Sequence, residues 1–213
     1  QFLSTPAEAY KPVGCDTARV SYGRGRSIMY CVASLWAHGL DCAALAGQKD
    51  LEARLLERFW PLLGEKRHLV PKTGHVDDTI FGGLPLEVAY LTGNKEALKL
   101  GLGFADAQWG PPNELTTKSK QNLPLEEQEE LYKKGYTPET RYWIDDMYMI
   151  TFLQVQAYRA TKDVKYLDRT AKEMVLYLDK LQLADGLFNH APEAPFVWGR
   201  GNGWLAAAMA MNL

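Results

Sequence analysis

Two adjacent carboxylates, Asp145 and Asp146, sit inside the apolar and aromatic run Arg141-Tyr-Trp-Ile-Asp-Asp-Met-Tyr-Met149. A carboxylate among Trp143, Met147, Met149 and Phe152 is partly desolvated, which raises its pKa and suits it to donate a proton near neutral pH. The plainer alternative is that both acids lie in the first turn of a helix and favour the positive end of its dipole. A second acid pair stands in His75-Val-Asp-Asp78, just ahead of Gly82-Gly83 and Pro85. Glycines there let backbone or ligand approach closely, whereas capping of a helix by Asp77 or Asp78 would explain the acids alone. A third cluster runs from Asp185 to Trp204 and contains His190 and Trp198-Gly-Arg-Gly-Asn-Gly-Trp204. Arg200 between two glycines supplies a planar fork for a carboxylate, and the tryptophans supply flat faces for sugar rings. The competing account is a surface arginine stacked on Trp198 for packing.

Two acid pairs, an arginine and aromatic platforms converge on sugar chemistry, in which carboxylates serve as proton donor and water activator. Other chemistries find less support. The four histidines show no metal-ligand spacing, although the acid pairs leave a hard-cation site conceivable. No glycine-rich phosphate loop follows a strand, and no nucleophile elbow surrounds a serine. A net charge of −2 and a pI near 6.1 give no general attraction to nucleic acid or anionic membrane.

These clusters must be positioned by helices. Apolar residues fill nearly every position from Ile28 to Ala46, then recur with helical period at Leu51, Leu55, Leu56, Phe59, Trp60 and Leu63. Gly47-Gln-Lys-Asp50 joins the two as a tight helical hairpin. The arrangement recurs at Ala89–Trp109 and at Ala157–Leu181, each time with a short Gly or Thr-Lys turn. Three such units and almost no strand pattern predict an all-α fold, an α/α-toroid rather than an open solenoid. Residues 1–26, rich in Pro and Gly, are expected to be irregular, with the toroid over 27–213. Gly110–Thr140 reads as a long solvated insertion with a short helix at Leu125–Lys134, serving as a lid or binding loop or as a mere spacer.

The chain of 213 residues, 46% hydrophobic, can bury a sizeable core. Cys15, Cys31 and Cys42 are expected to be buried thiols or to form at most one disulfide. The apolar stretch Ser27–Gly47, interrupted by Ser34, His38 and Asp41, reads as a buried helix rather than a membrane span. Trp204–Leu213 starts another apolar helix that stops without a cap, so a truncated toroid, with self-association or a missing C-terminal part, is expected. A start at Gln1 fits removal of a leader or trimming, with the periplasm or exterior favoured.

The four motifs His75–Asp78, Arg141–Met149, Gly186–His190 and Trp198–Trp204, over roughly residues 27–213, resemble in order and context those of the unsaturated rhamnogalacturonyl hydrolases. These form glycoside hydrolase family 105 and are related to the unsaturated glucuronyl hydrolases of family 88. The resemblance implies an (α/α)6 barrel that removes a 4,5-unsaturated uronic acid from the non-reducing end of lyase-generated pectin oligosaccharides, with no metal or organic cofactor. It implies Asp145 as the acid/base that protonates the C4=C5 double bond and activates water, with Asp77 as the assisting acid. His190, Arg200 and Trp204 would contact substrate, Arg200 at the uronate carboxylate; Trp198, Asn202, Trp143 and His75 complete the implied set. Asp146 is expected behind the cavity, and if it faced the cavity instead the assignment would move by one residue. The chain departs from the family in length, because six hairpins need more helices than it contains. Alternatives are another (α/α)6 sugar enzyme, an epimerase or inverting glycosidase, or a catalytically inactive carbohydrate-binding toroid.

Overall fold

The computed structural model describes residues 27–211 and is all-α apart from one small hairpin of strands. The segment expected to be irregular, residues 1–26, and Cys15 within it lie outside the described residues. Helix α1 (Tyr30–Leu45) ends before Gly47, whose φ of 65° supplies the left-handed turn, and α2 (Lys49–Phe59) begins with Asp50 and Glu52 in its first turn. The helix expected to reach Leu63 stops being α at Phe59. Pro61 lacks the N–H that an α-helix needs, and the chain continues as a 3₁₀ turn over Trp60–Leu63.

A single turn, α3 (Val76–Thr79), leads through a 3₁₀ turn into α4 (Gly83–Thr92), and Gly93 at φ 71° reverses the chain into α5 (Lys95–Ala107). Asn94 caps α5 by accepting from Ala97 N–H at 2.9 Å. After α6 (Glu114–Lys118) and α7 (Leu125–Lys133) come α8 (Ile144–Thr161) and α9 (Lys165–Leu181), joined at Lys162, which takes the left-handed φ of 63° that glycine takes in the other two turns. Strands β1 (Asn189–Ala191) and β2 (Ala194–Val197) pair antiparallel before α10 (Gly199–Met211). The expected hairpins are therefore α1/α2, α4/α5 and α8/α9, while the β-hairpin carries no period strong enough to be read from sequence.

Helix α8 is the centre of the molecule, packed by α4, α5, α9 and α10. It is buried on all sides from Met147 to Ala157, so its polar residues are paired internally. Gln154 Nε2 donates to Ala105 O at 3.0 Å and Gln108 Oε1 at 2.9 Å, and Thr151 shares a hydrogen bond with Thr170 at 2.8 Å. Glycines let the surrounding helices close in. A Cβ on Gly82 would lie 2.3 Å from Phe104 Cβ and one on Gly83 2.1 Å from Phe152 Cε1, so these two serve helix packing rather than ligand access.

The insertion is largely exposed, as its polarity predicts, and carries its short helix as α7, but a few of its polar residues and its last four residues are buried. Asn122 Nδ2 donates to Gly74 O and Thr116 O, both at 2.8 Å, and Gln128, Thr137, Glu139 and Thr140 are buried. These few polar groups bond to other groups of the protein. The expectation of buried thiols is also corrected: Cys42 is exposed, and Cys31 is only half-buried at the edge of the core. Among the described residues no helix is long and apolar enough to cross a membrane, and no cluster of three or more His, Cys, Asp or Glu is placed to hold a metal ion.

Candidate active site

The start of α8, the start of α3, the β-hairpin and the start of α10 meet around one cavity of about 320 Å³. Asp77, Asp145 and Arg200 all line it, although they are far apart in the chain. Its remaining wall is largely aromatic, with Tyr30, Trp143, Phe196 and Trp198.

Asp145 occupies the first turn of α8 and faces the cavity beside Met149, while its neighbour Asp146 points the other way and is fully buried. Burial holds the Asp145 carboxyl above the usual carboxylate range, and the adjacent Asp146 pushes it further in the same direction, against His190 and Arg141. His190, on β1, places Nδ1 3.7 Å from Asp145 Oδ2. Its ring sits among Trp143, Phe196 and Trp198, with centroids 5.4, 5.6 and 5.1 Å away.

Asp77 and Asp78 lie in the first turn of α3, but neither caps it. The cap position belongs to His75, whose Nδ1 lies 3.3 Å from Asp77 N–H. The Asp77 carboxylate turns instead to Arg141, accepting from Nη2 at 2.8 Å. Asp78 is pushed up to about 6 by burial and by the charge of Asp77.

Arg141 is the residue whose role sequence reasoning missed. It is buried and spends its whole fork: Nε–H donates to Asp146 Oδ1 at 2.7 Å, Nη2 to Asp77, and Nη1 lies 3.1 Å from His75 Nε2 and 3.3 Å from Gln121 Oε1 of the insertion. Its guanidinium also covers the Trp143 ring at 4.4 Å. The loop that presents it is held from both sides. Glu139 accepts from Gly74 N–H at 2.9 Å and Thr79 Oγ1 at 2.7 Å, and Glu173 accepts from Thr137 N–H at 3.2 Å and from the Thr140 hydroxyl. Tyr142 then adopts φ 58°, a left-handed kink that sends Arg141 inward while Trp143 reaches the cavity. The signal available in sequence was an arginine five residues before a buried acid.

Arg200 lies in the first turn of α10, and it is exposed with its guanidinium 4.2 Å over the Trp198 ring. Gly201 is required there because a Cβ would stand 2.4 Å from Ile144 Cγ2. Three residues of the implied substrate set are engaged away from the cavity wall. Asn202 bonds both the N–H and C=O of Phe188 at 3.0 Å, Trp204 packs on Tyr148 with centroids 4.3 Å apart, and His75 faces Arg141. Their side chains hold the walls in place.

Residues 115–213 match the family model for Glycosyl Hydrolase Family 88. This family-88 match covers somewhat under half of the chain. It takes in Asp145, Asp146, His190, Trp198 and Arg200 and leaves out Asp77, and it supports a glycoside hydrolase acting on an unsaturated uronic acid. No curated protein and no solved structure matches the chain.

Proposed function

We propose that the chain is a glycoside hydrolase that removes a 4,5-unsaturated uronic acid from the non-reducing end of lyase-generated pectin oligosaccharides of the rhamnogalacturonan type. The observation that carries this proposal is the convergence of Asp77, Asp145 and Arg200, from three separate parts of the chain, on one aromatic cavity. The family-88 match supports the unsaturated uronic acid, and the order of the four motifs supports the rhamnogalacturonan-type substrate. The three helical hairpins support an (α/α)6 toroid as the scaffold.

In this proposal the Asp145 carboxyl gives its proton to C4 of the double bond, and positive charge develops at C5 beside the ring oxygen. Water adds to C5 as the Asp145 carboxylate takes up its proton, forming a hemiketal. Opening of the hemiketal breaks the bond between C5 and the ring oxygen, and the aglycone leaves from C1. The net reaction consumes one water and regenerates the acid. Partial burial serves this chemistry because it keeps Asp145 protonated at a pH where an exposed aspartate would be ionised. Asp77, held by Arg141, is the assisting acid on the same cavity. Arg200 meets the uronate carboxylate in this reading, and Trp143 and Trp198 meet sugar faces; that all three line the cavity supports these roles.

Incubation with an unsaturated rhamnogalacturonan disaccharide is expected to bleach the absorbance of the conjugated double bond and release the saturated sugar. Persistent absorbance with lyase products of both pectin and glucuronan type would remove the hydrolase and leave a carbohydrate-binding protein.

A further inference from the structure

Asp146 is a fully buried carboxylate, next in the chain to Asp145, and every hydrogen bond it makes comes from a donor. Arg141 Nε–H donates to Oδ1 at 2.7 Å, and the Tyr177 hydroxyl and Trp143 N–H donate to Oδ2 at 2.7 and 3.3 Å. The direction of the tyrosine bond follows from its other partners. The Tyr177 oxygen already accepts the backbone N–H groups of Arg141 and Tyr142, each at 3.3 Å, so its own hydrogen is left for Asp146. Three donors and no acceptor suit an anion, since a carboxylic acid would have to set its proton against one of them. Arg141 in turn continues through Nη2 to Asp77 at 2.8 Å, so one guanidinium links the buried carboxylate to the cavity wall.

We propose that Asp146 is a positioning residue for the hydration reaction: it fixes Arg141 and, through it, Asp77, and its negative charge behind Asp145 keeps the transferable proton on Asp145. This rests on Asp145 being the proton donor. The titratable and charged groups around the pair are Arg141 on the preceding loop, Asp77 and His75 at α3, Tyr177 and Glu173 on α9, His190 on β1, Tyr30 on α1 and Arg200 on α10. Of these, burial aside, Asp146 acts most strongly to raise Asp145, and Arg141 and His190 oppose it. Burial raises Asp146 itself, and Arg141 and Tyr177 pull it back.

The test is a carboxyl-carbon NMR titration of the ligand-free protein combined with the pH profile of kcat on the unsaturated disaccharide. In the wild type the Asp146 resonance is expected at the carboxylate position throughout the titration of Asp145; an Asp146 found protonated in that range overturns the proposal without any substitution. In Asp146→Asn the Asp145 titration and the alkaline limb of kcat should both move to lower pH, by about half a unit or more, because the like charge of the adjacent residue is gone. A titration point that stays put in a folded variant overturns it. Arg141→Lys keeps the charge but loses the fork, so kcat should fall at least about tenfold with KM changed much less; kcat within twofold of wild type would show that Arg141 does not position Asp77. Absence of wild-type turnover would sink the proposed reaction, whereas the substrate-free titration would still decide the coupling between the two acids.

Discussion

Nδ1 of His190 lies 3.7 Å from Oδ2 of Asp145, and both atoms are buried without a hydrogen bond from any other described residue. Buried polar atoms are rarely left so, and those that are point toward a ligand or water. A strand and a helix start, separated by more than forty residues of chain, thus bring two polar atoms together on residues that line the same aromatic cavity.

Asp145→Asn keeps the shape of that arrangement and removes the proton. Turnover of the unsaturated disaccharide should fall by about 10²–10⁴-fold, the usual contribution of a positioned acid, while disaccharide affinity measured by calorimetry stays near wild type. Because the raised pKa of Asp145 keeps its acid form, wild-type activity should be present at low pH and decline as pH rises through that pKa. Wild-type turnover in the variant would remove Asp145 from the chemistry.

Arg200→Ala should weaken disaccharide binding. A closed Arg–carboxylate pair would cost several kcal/mol, but the Arg200 guanidinium is exposed and stacked on Trp198. The expected loss is therefore about 1 kcal/mol, or roughly fivefold in Kd, and should shrink as salt is added. A loss of a hundredfold or more would show that the cavity closes over this residue when ligand binds.

Glu139 and Glu173 make stability depend on pH. Burial pushes each up to about 7, from an ordinary value of 4.5. The folded chain therefore retains protons that the unfolded chain releases above about pH 4.5, so their contribution is full below that value and is lost as pH rises toward 7. One group shifted by this much corresponds to at most about 3 kcal/mol. Glu139→Gln, which cannot ionise, should flatten the fall of Tm between pH 5 and pH 8; an unchanged slope would show that Glu139 is already ionised in the fold.

Tyr142 carries a backbone cost that can be isolated. Its φ of 58° disfavours any side chain, so Tyr142→Gly should be more stable to denaturant than Tyr142→Ala by about 1 kcal/mol, although both lose the contact with Tyr177. Equal stability of the two would show that the kink is not held in solution.

Gly201→Ala should destabilise the chain by about 1–3 kcal/mol. The added methyl would press on Ile144 and, at 2.7 Å, on the Trp198 ring. Since Ile144 begins α8 one residue before Asp145, the same change should lower kcat; thermal melts and turnover measured together would reveal either effect missing.

The sequence by itself determined the helices and the acids. Period and turn residues marked the three hairpins at Gly47, Gly93 and Lys162, because those signals are local and act over a few residues. The motifs around residues 77, 145, 190 and 200 pointed to the proposed chemistry for a similar reason, since each combines charge with aromatics or glycine over a short span. Tertiary structure alone decided which of those groups share a cavity. It placed Asp145 on the wall and Asp146 behind it, gave Arg141 to Asp77, His75 and Gln121, and spent Asn202 and Trp204 on packing. It also buried the last residues of the polar insertion, which support the Arg141 loop through Glu139 and through their bonds to Glu173 of α9. Composition cannot distinguish a carboxylate solvated by water from one satisfied by backbone donors sixty residues away, and that distinction is made only when the helices close around α8.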